Sequence, residues 1–168
     1  MKKLLLLLCL PMIGFGQSAS AYCNKAQENI KNQEFSQAII NYSYAIEMDE
    51  DFTKAYAGRG DAYHLIEDYY KAVYDFIIVI EQDPSSHYGY FKRGLAKYEI
   101  GDYQGALKDY SKALELNPSS NNEIALYHNR ADVLMELKLP YCEDLRKLDA
   151  LKGYKSSGRI FFPDCFPE

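Results

Sequence analysis

The feature that most constrains this chain is an internal repeat of 34 residues. Residues 53–86 align without a gap on residues 87–120, and 13 of the 34 aligned positions are identical. A period of this length is typical of a supersecondary unit that cannot bury its apolar face alone and must stack on its neighbours. We therefore expect an array of stacked units, in which each unit contacts mainly the next, rather than one closed core.

Within each unit the apolar residues recur at helical spacing in two stretches, separated by the turn-forming Glu67-Asp68. This pattern predicts two antiparallel helices. Small residues at Gly60 and Ala72 allow the helices to approach closely, and Phe76 fills the wider gap. Pro84 ends the second helix because proline lacks the backbone N–H. The same roles recur in the next unit at Gly94, Ala106, Tyr110 and Pro118.

This pattern resembles the tetratricopeptide repeat, a family of 34-residue helix-turn-helix units. The positions that carry the resemblance are Tyr56, Gly60, Ala72, Phe76, Val79 and Pro84 in one unit, and Tyr90, Gly94, Ala106, Tyr110, Ala113 and Pro118 in the next. The resemblance implies an all-α, right-handed superhelical solenoid. We expect about three and a half helix-turn-helix units and a C-terminal capping helix.

The register extends less regularly in both directions. Residues 19–52 are expected to be a degenerate first repeat, with a second helix at 35–48 and a poorer first helix near 20–31. This end is either a degraded repeat or a cap with a frayed start. Residues 121–154 form an atypical terminal repeat or capping hairpin, as a unit that has one face in water should. The tail at 155–168 either folds back over the last helix or is a mobile peptide.

The N-terminus has the pattern of a secretory signal peptide at residues 1–16, with a second possible cleavage after residue 21. A membrane anchor is the competing interpretation, but it needs about 20 apolar residues and this run is shorter. The leader resembles those of Gram-negative bacteria. We therefore expect an exported protein, periplasmic or secreted, without a stable membrane span once the leader is removed.

Removing the leader with Cys9 leaves three cysteines, Cys23, Cys142 and Cys165. Disulfides form in exported proteins, so one pair and one free thiol is the simplest outcome. Cys142 and Cys165 are 23 residues apart, enough for one helix and a returning tail, and we favour this pair as a C-terminal staple. Three unpaired buried thiols are the alternative.

No set of residues in the sequence supports a reaction. His64, His87 and His128 are far apart and none has a partner at the spacing that places two metal ligands on one helical face. We expect no enzymatic activity, no metal and no cofactor. The net charge of −5 and the absence of basic runs argue against nucleic-acid binding.

The resemblance implies that the first helix of each unit lines an inner groove. By repeat register, the predicted groove residues are Lys54, Asp61, His64, Tyr88, Phe91, Lys92, Leu95, Tyr98, His128, Asp132 and Met135. Their aromatic side chains suit an extended peptide or a partner helix, unless they pack between repeats instead. The predicted function is a non-catalytic protein-interaction module. The alternative is a structural or assembly subunit of the bacterial envelope that acts through self-association as a homo-oligomer.

Chaperone-binding members of the family hold a C-terminal carboxylate with Lys, Asn and Arg side chains on successive first helices. The corresponding residues here are Ala57, Asp61, Lys92, Ala125 and Asn129. Most of that set is therefore missing, and the resemblance does not imply a carboxylate-binding co-chaperone.

Overall fold

The computed structural model describes residues 18–116, 118–152 and Cys165, except for the side chains of 120, 121 and 152. The predicted signal peptide and, apart from Cys165, the predicted tail lie outside the described residues. Eight α-helices and no β-strand occur in the described part of the chain, which confirms the predicted all-α repeat fold. The helices are α1 (Ala19–Lys31), α2 (Phe35–Met48), α3 (Thr53–Leu65), α4 (Tyr69–Gln82), α5 (His87–Glu99), α6 (Tyr103–Glu115), α7 (Ser120–Glu136) and α8 (Cys142–Lys152).

Each helix pair turns through one residue with a positive φ angle. Such a residue ends a helix by letting the following N–H bond back to a carbonyl in the last helical turn. The turn residues are Gln33 (φ 62°), Glu67 (φ 63°), Gly101 (φ 79°) and Lys138 (φ 55°). After the turn, Asp68 and Asp102 cap the next helix, accepting the backbone N–H of Lys71 at 3.4 Å and of Gly105 at 2.9 Å. The predicted turn at Glu67-Asp68 is therefore present.

Glycines let bulky rings lie directly on the neighbouring helix backbone. A Cβ atom at Gly60 would lie 2.9 Å from the Phe76 ring, and one at Gly94 would lie 2.6 Å from the Tyr110 ring. Both rings are almost completely buried, which agrees with the small-against-large packing read from the repeat. A third close approach joins one pair to the next, because a Cβ at Gly58 would lie 2.3 Å from Tyr42.

The four helix pairs follow one another along the array, each helix packing on its neighbours in the chain. The first helices also contact each other, α1 with α3, α3 with α5 and α5 with α7. They therefore share one side of the array, which we call the inner face. The second helices α2, α4, α6 and α8 supply the opposite side, the outer face.

The first pair is more regular than its sequence suggests. Helix α1 has 13 residues, the same length as α3 and α5, and α2 spans the predicted 35–48. The end is thus a complete helix pair rather than a frayed cap. At the other end, α7 is longer than the preceding first helices, with 17 residues. None of the described helices is long and apolar enough to cross a bilayer.

Candidate functional site

The inner face carries the side chains that the sequence predicts for a groove. Lys54 on α3 and His128 on α7 are exposed. The other predicted residues are partly buried, and they are Asp61, His64, Tyr88, Phe91, Lys92, Leu95, Tyr98, Asp132 and Met135. The structure brings most of this set together at two junctions, one between α3 and α5 and one between α5 and α7.

A polar bridge joins α3 to α5. The Asp61 carboxylate accepts a hydrogen bond from the Tyr88 hydroxyl and lies 2.8 Å from the Lys92 ammonium. The Lys92 ammonium also lies over the Tyr88 ring, 5.3 Å from its centre. Burial raises the pKa of Tyr88, and the negative charge of Asp61 acts in the same direction. The phenol therefore stays protonated and remains a hydrogen-bond donor. We call Asp61, Tyr88 and Lys92 the polar bridge.

His64 lies beside the polar bridge at the same junction. Its ring packs edge-on against Tyr69, with 5.2 Å between the ring centres. Burial lowers the pKa of His64, and the positive charge of Lys92 lowers it further. His64 is therefore neutral at pH 7, and Lys92 is balanced by Asp61. This junction offers no uncompensated positive charge to a ligand.

The junction between α5 and α7 is acidic. Glu99 on α5 and Glu136 on α7 are exposed, and Asp132 lies 3.2 Å from the Nδ1 atom of His128. Burial raises the pKa of the Tyr98 hydroxyl, and the charges of Glu136, Asp132 and Glu99 add to that rise. We call Glu99, Asp132 and Glu136, whose charges act on this phenol, the acidic junction.

The predicted groove aromatics also pack between helices. Tyr88 lies 6.4 Å from Phe76, Phe91 lies 6.1 Å from Tyr110, and Tyr98 lies 5.4 Å from Tyr103, measured between ring centres. Leu95 packs against the same cluster as Phe91 and Tyr98. Each of these side chains therefore packs in part between helices, as the alternative interpretation predicts. Only the remaining surface is available to a partner.

Sequence reasoning missed a set of ion pairs inside the helix pairs, which we call the ion-pair ladder. In each pair after the first, an arginine on the first helix binds a buried aspartate on the second through two nitrogens. The rungs are Arg59 with Asp75, Arg93 with Asp109 and Arg130 with Asp144, at 2.6–2.9 Å. The signal was present, because both members of the first two rungs are identical in the 34-residue alignment.

Two rungs also reach the preceding helix pair. Arg59 donates to the Ser43 hydroxyl at 3.1 Å, and Arg130 donates to Ser111 at 3.4 Å. A hydrogen bond to the Asp109 carboxylate raises the pKa of Arg93. The ladder therefore fixes the helix pairs internally and against each other. Its burial and its repetition assign it to the scaffold rather than to recognition.

The first pair has a neutral hydrogen bond in place of the ladder. Asn41, which is 34 residues before Asp75, donates to the side chain of Asn29 at 2.8 Å. Both amides are buried. This pair avoids the cost of burying a charge, which a rung offsets only by its bidentate geometry.

The C-terminal pair is closed by a disulfide. Cys142, at the start of α8, is bonded to Cys165, with 4.9 Å between their Cα atoms. Arg146 on α8 donates to the backbone carbonyl of Cys165 at 3.0 Å, which is a second contact between α8 and Cys165. Cys23 is a buried free thiol, and burial raises its pKa. The structure thus has the favoured pair and one free thiol. In the described part of the chain, no three His, Cys, Asp or Glu side chains are arranged to hold a metal ion.

Two models of the family described as "Tetratricopeptide repeat" match residues 19–52 and 87–120. The chain is a tetratricopeptide repeat protein. The match to residues 19–52 includes the pair that the sequence predicts to be degenerate. No curated protein shows significant sequence similarity to the chain.

Solved tetratricopeptide repeat (TPR) structures share the fold. The first TPR domain of Spaghetti (RPAP3), bound to the HSP90 peptide SRMEEVD, is 22% identical with a TM-score of 0.69, covering 73% of this chain and 94% of that one. The second TPR domain of Spaghetti, with the same peptide, is 27% identical with a TM-score of 0.58, covering 60% and 94%. MamA from Desulfovibrio magneticus RS-1 is 15% identical with a TM-score of 0.76, covering 83% and 78%.

Proposed function

We propose that this TPR protein is a non-catalytic interaction module that binds a segment of a partner protein along its inner face. The observation that carries the proposal is that some polar side chains repeat from pair to pair, whereas those of the inner face do not. Within the described residues, the ion-pair ladder repeats in three pairs with buried aspartates, whereas the polar bridge and the acidic junction each occur once. Packing requires repetition from unit to unit, and recognition of one partner does not.

The solved neighbours support the binding mode but not the same ligand. Two of them are bound to the peptide SRMEEVD. In this chain Lys92 is held by Asp61 at 2.8 Å, and the neighbouring inner-face residue Asn129 donates to the carbonyl of Ala125 at 2.8 Å. Both donor groups already bind partners within the chain, which weakens each of them as a donor to a terminal carboxylate. We therefore propose a partner other than an acidic chain terminus.

Site-specific photocrosslinking in the native cell tests the proposal. A photoreactive amino acid replaces Lys54 or His128 on the inner face, and Gln104 or Lys108 on α6 of the outer face serves as the matched control. All four positions are exposed, so the substitutions should not disturb the fold. We expect a partner to be crosslinked from positions 54 and 128 and identified by mass spectrometry. Crosslinks from positions 104 and 108 alone would remove the inner face as the binding surface.

We also propose that the protein is exported to the periplasm or secreted. The leader pattern supports this location, and so does the disulfide between Cys142 and Cys165, since such bonds persist in oxidising compartments. Cell fractionation combined with intact mass measurement checks both points. The expected mature mass lacks the leader and increases by the mass of two hydrogen atoms on reduction. A cytoplasmic protein that keeps its leader, and whose mass does not change on reduction, would contradict the proposal.

Self-association is a second candidate, favoured by apolar side chains on the outer face of the first two pairs. The exposed residues are Ile40, Tyr44 and Met48 on α2 and Tyr70 and Tyr74 on α4. On α6 the positions that correspond to Tyr70 and Tyr74 are Gln104 and Lys108. Light scattering over a range of concentrations separates the candidates. A concentration-dependent dimer that the Tyr74→Lys variant abolishes would establish self-association, and a monomer throughout would remove it.

A further inference from the structure

The charge of the inner face is uneven, and its distribution indicates the chemistry of the segment that binds there; this inference rests on the proposed function. On the α3–α5 side the Lys92 ammonium is neutralised by Asp61 at 2.8 Å. Lys54 lies further toward α1, where its charge acts on the thiol of Cys23. The cations of the inner face are thus either internally paired or at its N-terminal end.

The acidic junction is not balanced in this way. Apart from Lys92 and the histidines, the basic residues of α5 and α7 are paired with buried aspartates of the second helices. Arg93 and Lys97 bind Asp109 at 2.6 Å and 2.9 Å, and Arg130 binds Asp144 at 2.6 Å. His128 faces Asp132 but carries a positive charge only when protonated. Among the residues that the structure describes, no lysine or arginine forms an ion pair with Glu99, Asp132 or Glu136.

The geometry of the acidic junction favours an elongated cation over a metal ion. The carboxylates come from two helices and do not converge as a metal site requires. Tyr98 on α5 is partly exposed at the same junction, and the charges of all three carboxylates act on its hydroxyl. A lysine or arginine side chain can lay its aliphatic stem on such a ring and place its charged end among carboxylates. A small inorganic cation would gain nothing from the ring edge or the spread of charges.

We propose that the inner face binds a basic segment of a partner protein, with a lysine or arginine side chain over Tyr98 among Glu99, Asp132 and Glu136. Asp61 acts as a specificity-determining residue, because it cancels the charge of Lys92 that would otherwise attract an acidic segment. The partner's basic residues lie over α5 and α7, and its apolar residues lie against the exposed parts of the groove aromatics. The preference comes from the charges at the groove, not from the net charge of the chain.

Two fluorescein-labelled, amidated nine-residue peptides test this charge preference. One consists of three Ala-Leu-Lys units and the other of three Ala-Leu-Glu units, so that only the charge differs. Fluorescence anisotropy with the purified chain measures both affinities. We expect the lysine peptide to bind at least about tenfold more tightly, a difference of about 1.4 kcal/mol. In the Asp61→Asn variant the glutamate peptide should gain severalfold, because the charge of Lys92 is released.

A matched pair of double variants distinguishes groove binding from general attraction to an acidic protein. Glu99→Gln with Glu136→Gln alters the acidic junction, and Glu47→Gln with Glu81→Gln makes the same change of charge on exposed sites of α2 and α4. The first double variant should remove most of the preference, and the second should leave it intact. Equal effects of the two double variants would overturn the inference.

The outcomes also separate this inference from the function on which it rests. If both peptides bind equally well, and bind at the inner face, the groove is a peptide site without the charge preference, and only the inference fails. If the glutamate peptide binds more tightly, the inference fails in the same way. If neither peptide binds, the inference is overturned, and crosslinking from positions 54 and 128 separately decides the proposed function.

Discussion

The ion-pair ladder and the polar bridge use the same chemistry in two different regions of the molecule. Each joins an aspartate carboxylate to a basic side chain at 2.8 Å, as in Asp75 with Arg59 and Asp61 with Lys92. The Asp75 side chain is only 1% exposed and its interaction recurs in three pairs. The Asp61 side chain is 30% exposed, and its interaction occurs once among the described residues. Ion pairs of the same length therefore belong to the scaffold in one place and to the surface in the other.

The difference shows how a repeat protein separates stability from recognition. A buried rung must have its partner, because an unpaired buried charge is far more costly than the pair is favourable. A partly exposed ion pair, such as Asp61 with Lys92, is screened by water and contributes little to the free energy of folding. Selection for folding therefore acts on the ladder, while the inner face is free to differ between units. Substitutions in the two regions should consequently have effects of very different size.

The largest effect is expected from breaking a rung of the ladder. Asp75→Ala leaves the guanidinium of Arg59 partly buried without its carboxylate, which should lower the free energy of unfolding by about 3–5 kcal/mol. Asp61→Ala is the matched control in the same unit, and it should cost only about 1–2 kcal/mol, because it removes a partly exposed ion pair and the acceptor of the Tyr88 hydroxyl. Urea unfolding followed by helical circular dichroism measures both. Similar losses for the two variants would abolish the distinction between scaffold and surface.

A double variant refines the same comparison. Replacing both partners, Arg59→Met with Asp75→Leu, removes the buried charges together, so most of the stability lost in Asp75→Ala should return. The bond from Arg59 to Ser43 is lost as well, which limits the recovery. The first pair, where Asn41 and Asn29 form a neutral hydrogen bond at the corresponding place, shows that the fold does not require a charged rung.

A smaller effect is expected from filling the close approach between helices. In Gly94→Ala the new Cβ would lie 2.6 Å from the Tyr110 ring, so the ring or the helix must shift. Overpacking of this kind costs about 1–3 kcal/mol. Gly101→Ala is the control, since nothing lies within 4 Å of a Cβ there and only the positive φ angle is strained. Thermal unfolding measures the loss of stability caused by the packing clash in Gly94→Ala and by the strained backbone in Gly101→Ala.

The sequence predicted the scaffold better than the groove, and the reason is physical. Gly60 lies against the Phe76 ring and Gly94 against the Tyr110 ring, because packing imposes the same sizes in both units. The ladder is visible in the sequence as identical arginines and aspartates, but an identity does not say which residues touch. The pairing of Asp61 with Lys92 had no such signal. It depends on the stacking distance between α3 and α5, which no periodicity encodes.

On the inner face, removing one hydroxyl should have a small effect on stability. Tyr88→Phe deletes the donor to Asp61 but leaves the ring against Phe76 and the ion pair with Lys92. The expected loss is about 1 kcal/mol, the net contribution of one hydrogen bond. Tyr70→Phe on the outer face, where the residue is 75% exposed, is the control and should be neutral. A loss as large as that of Asp75→Ala would move Tyr88 into the scaffold.

The smallest effect is the contribution of His64 to the pH dependence of folding. Its pKa in the folded state is lowered from 6.5 by burial and by Lys92, so the unfolded chain binds the proton more readily. The stabilisation is present above pH 6.5 and is lost as the pH falls through that value toward the folded pKa. Urea unfolding at pH 7.5 and pH 5.5 should show a smaller loss in His64→Gln than in the unsubstituted chain. Burial is the largest cause of the lowered pKa and Lys92 adds to it against Glu99 and Asp61, so the pH difference should shrink without vanishing in Lys92→Met. An unchanged difference would place His64 outside the field of the polar bridge.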